Sequence, residues 1–323
     1  MIQVMRATLR SVAGRVYWAS PHFLPSLRGR VLILMYHRVI PRAEAAATFV
    51  QPGMYVTPET FERHLRFLTA HFEVLSFADL LTKWASQQWD SGTRYCTITF
   101  DDGWLDNFTC AYPLLRAHRV PATIFLPTDL VGTDEWLWSD RLGALLRQRG
   151  KGTPADWDAY IEHAKTMTDD ARASMLDRLE AETDGVCLGQ RRLVDWKQVR
   201  EMSRHGVSFA SHTSTHVNLT RLAGAALESE LRGPLDMLRE QRINHVPVLA
   251  YPNGDHTDAV VAAARAAGYS AAVTTSPGLE SSRPADLFRL KRIGVHDDVT
   301  RSVPLLALHV TRQARSALPH QEY

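Results

Sequence analysis

Two short segments carry the residue types that metal-assisted hydrolysis needs. Thr99-Phe100-Asp101-Asp102-Gly103-Trp104 sets two adjacent carboxylates directly after an apolar run, and Ser211-His212-Thr213-Ser214-Thr215-His216 sets two histidines four residues apart after another. Adjacent aspartates cannot aim their side chains in one direction, so one can bind a metal while the other approaches a water. Two histidines at i and i+4 share a face if the turn between them is helical. With one carboxylate they form a two-His, one-carboxylate set that leaves positions open for water and substrate, the mark of a catalytic rather than a structural site. Each segment alone has a bland alternative, a solvated Asp-Asp-Gly turn or an accidental surface pair of histidines. Their joint occurrence, each after a strand-like run, is far more specific.

The elements that must position these residues alternate between strand and helix. Short apolar runs rich in β-branched or aromatic residues occur at Val31 to Tyr36, Tyr95 to Phe100, Ala122 to Leu126, Val207 to Ser211, Val246 to Tyr251, Ala271 to Thr275 and Phe288 to Ile293. Helical patterns lie between several of them: Phe61, Leu65 and Leu68 after Thr57 as N-cap and Pro58, Ala223 to Leu238, and Ala259 to Ala267 stopped by Gly268. Such alternation implies parallel strands joined by crossovers. About seven strands with no G-x-G-x-x-G after the first suit a barrel better than an open dinucleotide-binding sheet. The expected fold is therefore α/β, a distorted (β/α)7-type barrel over residues 31–310, with active-site residues at strand C-terminal ends. Residues 134–192 break the rhythm with charged, helix-favouring sequence that includes Asp169 to Leu179, and read as a helical insertion. At its start, Trp136 and Trp138 offer indole faces that either stack on a sugar ring or anchor the helix that follows.

Composition excludes several classes. The chain has 323 residues, a formal net charge of +2 and no Lys/Arg run with interleaved aromatics, which argues against a nucleic-acid partner. Cys96, Cys110 and Cys187 contain no C-x-x-C pair and indicate neither a disulfide framework nor a thiolate zinc site. The longest apolar stretch near the start, Val31 to Tyr36, falls far short of the roughly 20 residues of a membrane span. Residues 1–30 form a separate basic segment, because Arg6, Arg10, Arg15, Arg28, Arg30, Arg38 and Arg42 all precede the first acidic residue, Glu44. Ile2, Met5, Leu9, Val12 and Val16 recur at helical spacing, so this segment reads as a basic amphipathic helix. Such a helix either lies on an anionic membrane surface or docks on the domain. Lacking a secretory h-region and cleavage site, it favours cytoplasmic residence, at a membrane surface in the first case. Residues 311–323 are expected to be a tail.

At these motifs the chain resembles the polysaccharide deacetylases with a NodB-homology domain, carbohydrate esterase family 4. The family's T-F-D-D-G stands as Thr99 to Gly103 and its H-[S/T]-x-x-H as His212 to His216, and the resemblance runs from Val31 to about Val299. It implies a distorted barrel of about seven strands, a Zn-like divalent ion, and removal of N-acetyl or sometimes O-acetyl groups from glycans. Carried over by position, Asp101 matches the catalytic base, and Asp102, His212 and His216 match the metal ligands. The ion itself stays open among Zn, Co, Ni and Mn. Tyr251-Pro252-Asn253-Gly254 occupies the place of R-x-P-Y-G: the turn is kept, and a backbone N–H near Asn253 can face an oxyanion, but the arginine is missing. Arg292, at the end of the last strand, offers a substitute partner for Asp101. The general acid is sought in the Tyr36-His37 pair, as in the circularly arranged deacetylases of poly-N-acetylglucosamine, with His296 the rival and Leu308-His309 a weak match to the usual C-terminal L-x-H.

The resulting expectation is a metal-dependent hydrolase of N-acetylhexosamine units in an exopolysaccharide, a surface glycan or its lipid-linked precursor, with Tyr251, Asn253 and Trp138 on the substrate side. An O-acetyl esterase and a metal-free carbohydrate-binding protein on the same fold are the alternatives. Trp104 and Phe108 read as packing.

Overall fold

The computed structural model describes residues 12–16, 18, 20, 22–150, 152–183 and 192–316. Cys187 and most of the N-terminal amphipathic pattern, including Ile2, Met5 and Leu9, lie outside them.

Seven strands make the frame: β1 (Arg30–Tyr36), β2 (Tyr95–Phe100), β3 (Ala122–Leu126), β4 (Val207–Ser211), β5 (His245–Ala250), β6 (Ala271–Val273) and β7 (Ile293–Gly294). All pair in parallel, in the order β7-β1-β2-β3-β4-β5-β6. Every residue of β2, β3 and β4 is buried, Thr97, Thr99, Thr123, Ser208 and Ser211 included, which is why none of the three strands carries a charged residue. The sheet curls until the chain before β7 meets β6, where Leu290 bridges Val273 and Leu290 N donates to Ala272 O. A curled barrel with helices outside is the expected fold class. The last strand differs in extent: only Ile293–Gly294 is regular, because residues 287–292 divide their hydrogen bonds between β6 and the loop at Ser276.

Eleven helices in the described residues serve the argument. They are α1 (Pro58–His71), α2 (Phe77–Ser86), α3 (Tyr112–His118), α4 (Trp138–Gln148), α5 (Pro154–Thr166), α6 (Asp169–Ala181), α7 (Trp196–Ser203), α8 (Gly224–Glu240), α9 (Asp258–Ala267), α10 (Asp297–Thr300) and α11 (Val303–Ser316). The start signals operate as physics requires. Thr57 accepts a hydrogen bond from Thr60 N with Pro58 at the first position of α1, an arrangement worth about 1 kcal/mol. Gly268, at φ 102°, ends α9. Helix α11 runs on to residue 316, through the first part of the stretch expected as a tail.

Helices α4, α5 and α6 occupy the interrupting stretch and have a small core of their own, in which Leu142, Leu145, Trp157, Ile161 and Leu176 gather around Phe49. Gly143 permits this, since a Cβ there would collide with the Phe49 ring. The stretch returns to the barrel beside β2: Val194 N donates to Gly103 O at 2.9 Å and Leu105 N to Arg192 O at 2.7 Å. The insertion is thereby tied to the turn that carries Asp101 and Asp102.

Candidate active site

The ends of β2 and β4 bring the two motifs together. Asp102 Oδ1 lies 3.3 Å from His212 Nε2 and 3.3 Å from His216 Nε2, and the three ligating atoms fall within 4.8 Å of one another. The route to this geometry is not the helical turn that i, i+4 spacing suggests. Thr213 (φ 66°) and His216 (φ 63°) are left-handed, and a bond from His216 N to Thr213 Oγ1 folds the loop back on itself. Glu230 on α8 secures the loop by accepting from Ser214 N, Thr215 N and Thr215 Oγ1. Asp102 (φ 73°) and Asn253 (φ 58°) are left-handed too. Four of the seven such non-glycine residues among those described therefore stand at one site, where surrounding structure must hold the strain.

The chemistry of the donor set suits a divalent cation. His212 Nδ1 donates to Ala250 O at 2.8 Å, which fixes the ring so that Nε2 faces the carboxylate, as a proton donor without a cation and through its lone pair were one bound. Burial opposes charge on Asp102, but hydrogen bonds with His212 and His216 hold its pKa well below the usual carboxylate range. His212 is raised against the same burial by its bond to Asp102.

Asp101 faces the other way. Arg292, fully buried, donates from Nη1 to Oδ1 and from Nη2 to Oδ2, both at 2.7 Å. Its remaining bonds go to Thr274 O and Thr99 Oγ1, so the guanidinium is fixed on three sides. Burial would raise the Asp101 pKa, yet the Arg292 charge and hydrogen bonds bring it below the ordinary value. The carboxylate is thus ionised at neutral pH.

A cavity of about 230 Å³ opens over these groups. His37 lines it, with Nε2 4.0 Å from Asp101 Oδ2. Burial lowers the His37 pKa, with Asp102 and Asp101 pulling the other way. The rivals lie elsewhere: His296 pairs with Asp298 at 3.3 Å, and His309 bonds Gly294 O at 2.9 Å from α11, neither on the cavity wall. Tyr251 and Asn253 both border the cavity, but the Tyr251 hydroxyl turns away to Phe288 O, and its N–H is spent on Val273 O. Since Pro252 has no N–H, Asn253 is the turn's candidate donor. Trp138 borders the cavity from the insertion, with the Arg172 guanidinium 4.4 Å over its ring.

Several wall residues escaped the sequence reading. Gln51, Met54, Asp140 and Lys165 line the cavity, the last two from the insertion. Burial, with Asp102 adding its negative charge, pushes the Asp140 carboxyl up to about 7 despite the opposing pull of Arg38. Trp104, read as packing, donates from its indole to Asp102 Oδ2 at 2.9 Å. Its signal was available: a buried indole N–H needs an acceptor, and this one follows two carboxylates.

The sequence pattern of the polysaccharide deacetylase family matches residues 89–272, more than half of the chain. YxkH of Bacillus subtilis (strain 168), named as a polysaccharide deacetylase, is 24% identical over 274 residues, covering 84% of this chain and 73% of YxkH. The fold is similar to that of the Streptococcus pyogenes deacetylase PplD, solved with acetate (TM-score 0.60, 22% identity, 85% of this chain and 96% of PplD). It is also similar to that of IcaB from Ammonifex degensii (TM-score 0.58, 18% identity, 86% and 97%). A family pattern of this extent, laid over a curled barrel whose strand ends carry both motifs, means that the chain belongs to the polysaccharide deacetylase family, hydrolases of acetylated carbohydrates.

Proposed function

We propose that the protein is a metal-dependent N-deacetylase acting on N-acetylhexosamine units of a polysaccharide or lipid-linked glycan. The observation that carries this reading is the convergence of Asp102, His212 and His216 on one point beside a buried, ionised Asp101. A divalent cation held by those three residues would supply a Lewis acid that polarises the acetyl carbonyl and acidifies water, zinc being the ion that two imidazoles and a carboxylate suit well.

The remaining work falls to the chain's own groups. Asp101, aimed by Arg292, accepts a proton of the attacking water. His37, across the same cavity, delivers a proton to the departing nitrogen, so that amide and water give acetate and a free amine. The Asn253 N–H is the donor proposed for the oxyanion. The Trp138 ring, backed by Arg172, offers its other face to the sugar. At about 230 Å³ the cavity is of a size for the reacting unit of a glycan.

Acetate release from N-acetylglucosamine oligomers by metal-reconstituted protein, beside an Asp101→Asn variant, tests the reading. Release by the wild type and its near-abolition in the variant are expected. Release only from O-acetylated glycans would make the protein an esterase, and failure to bind any divalent ion would return it to a carbohydrate-binding protein.

For the N-terminal segment we propose peripheral contact with an anionic membrane surface, on its cytoplasmic side. Val12 and Val16 are 53% and 70% exposed beside an exposed Arg15, while Gly14 between them lies against the Pro304 carbonyl. This outward face is apolar and basic, in a segment with no acidic residue before Glu44. Co-sedimentation with phosphatidylserine vesicles, lost in a Val12→Asp/Val16→Asp variant, is the expected result; no binding by the wild type leaves a segment that docks on the domain.

A further inference from the structure

The carboxylate of Asp102 has two oxygens, and they are treated differently. Oδ1 faces both imidazoles at 3.3 Å, whereas Oδ2 accepts the indole N–H of Trp104 at 2.9 Å. We propose that Trp104 is a positioning residue for the metal site: by occupying Oδ2 it presents Oδ1 alone to the ion and fixes the carboxylate plane.

The indole is itself held from two directions. The Arg38 guanidinium sits 4.5 Å over its ring, and Arg38 is locked by a 2.8 Å bond from Nε to Asp106 Oδ2. Asp106 Oδ1 accepts from Val39 N at 2.8 Å, so the three groups form one buried assembly between the end of β1 and the turn after β2. A cation over the ring polarises the N–H toward the carboxylate, which strengthens the bond that aims Oδ1. On the ring's apolar side, Leu137 and Leu193 pack against Trp104 from the two ends of the insertion, and the Trp104 backbone bridges Leu193. The docking of α4–α6 and the aim of a metal ligand thus pass through one side chain.

This inference rests on the metal reading of Asp102, His212 and His216, and the test separates the two. Zinc affinity of the metal-stripped full chain is measured by competition with a chelating dye, and cobalt-loaded protein is examined by visible absorption. Trp104→Phe, which keeps the ring but removes the N–H, is expected to bind zinc about 10- to 100-fold more weakly, as loss of a group that orients a metal ligand does. Its cobalt bands should shift, while the melting temperature of the metal-free protein changes by only a few degrees. Wild-type zinc affinity and an unchanged cobalt spectrum in the variant would overturn the proposal and leave Trp104 as packing. A wild type that binds no metal would instead bring down the metal reading. Should Trp104→Phe not fold, the wild-type indole N–H resonances decide. One that shifts on zinc addition, and persists in a Trp138→Phe control, supports the proposal; no shift refutes it.

Discussion

Asp101 and Asp102 are adjacent in the chain and almost equally buried, at 2% and 4% exposure, yet their surroundings are opposite. Asp101 has a full positive charge locked against both oxygens. Asp102 has two imidazoles on one oxygen and an indole on the other. A buried carboxylate already neutralised by arginine has little to offer a metal, but it remains an ionised, fixed proton acceptor. One set among imidazoles, with no arginine beside it, is open to a cation. The contrast supports the proposed division of roles by physics, independently of any motif.

Exchanging amide for acid at each position is the strongest way to break that contrast. Asp101→Asn should bind zinc about as well as wild type and lose about 100- to 10,000-fold in kcat/KM, the range for removal of a positioned base. Asp102→Asn should lose the metal itself, read by metal content after dialysis. Equal metal loss in both variants would show that the carboxylates act as a pair and sink the division of roles. The next largest effect is expected at His37. His37→Gln should reduce kcat by roughly 100-fold or more with zinc affinity unchanged, whereas His296→Gln, whose imidazole is paired with Asp298 off the cavity, should leave kcat near wild type. The reverse pattern would move the acid to His296.

How far this contrast is legible in sequence follows from what each residue's environment depends on. The strands bearing the motifs are readable because parallel strands buried on both faces carry only apolar and small hydroxyl residues and no charge, as at Tyr95–Phe100 and Val207–Ser211. The pairing of Asp101 with Arg292 is also within reach, since a buried arginine needs a carboxylate, although Arg292 stands just before the regular Ile293–Gly294 and not at its end. The left-handed loop at Thr213 and His216 is not readable: neither is glycine, and the conformation is held by the Glu230 carboxylate from α8, the loop's own bond from His216 N to Thr213 Oγ1 and the bond from Thr128 N to Thr213 O. The short β7 escapes for a related reason. Phe288 to Arg292 has strand-like composition, but it crosses the seam where the sheet closes and cannot satisfy one neighbour throughout. Trp104 does pack, and its second task is half legible: a buried indole N–H two residues after a carboxylate signals an acceptor nearby, but not which oxygen it takes.

Smaller effects sharpen the comparison by titration. Arg292 favours the ionised form of Asp101, so Arg292→Gln must raise the Asp101 pKa. With Asp101 as the proposed base, activity requires the ionised form and is lost as pH falls through that pKa. The acid limb of kcat/KM should therefore move to higher pH in the variant. A limb that stays in place would mean that another group controls it.

Asp140 is the opposite case, a carboxyl raised rather than lowered, and its effect should appear in stability. Its folded pKa is about 7, whereas an unfolded aspartate titrates near 3.9. Between those values the folded chain keeps a proton that the unfolded chain has released, so stability falls as pH rises from about 4 to 7 and levels off above. An amide at this position cannot ionise. Measured without metal, Asp140→Asn should therefore match the wild type near pH 4 and exceed it by about 1–3 kcal/mol at pH 8, the range reflecting partial exposure of the residue. Parallel stability curves across that window would show that Arg38 and Arg192 neutralise Asp140 fully. It would then join Asp101 as a carboxylate settled by arginine, not by burial.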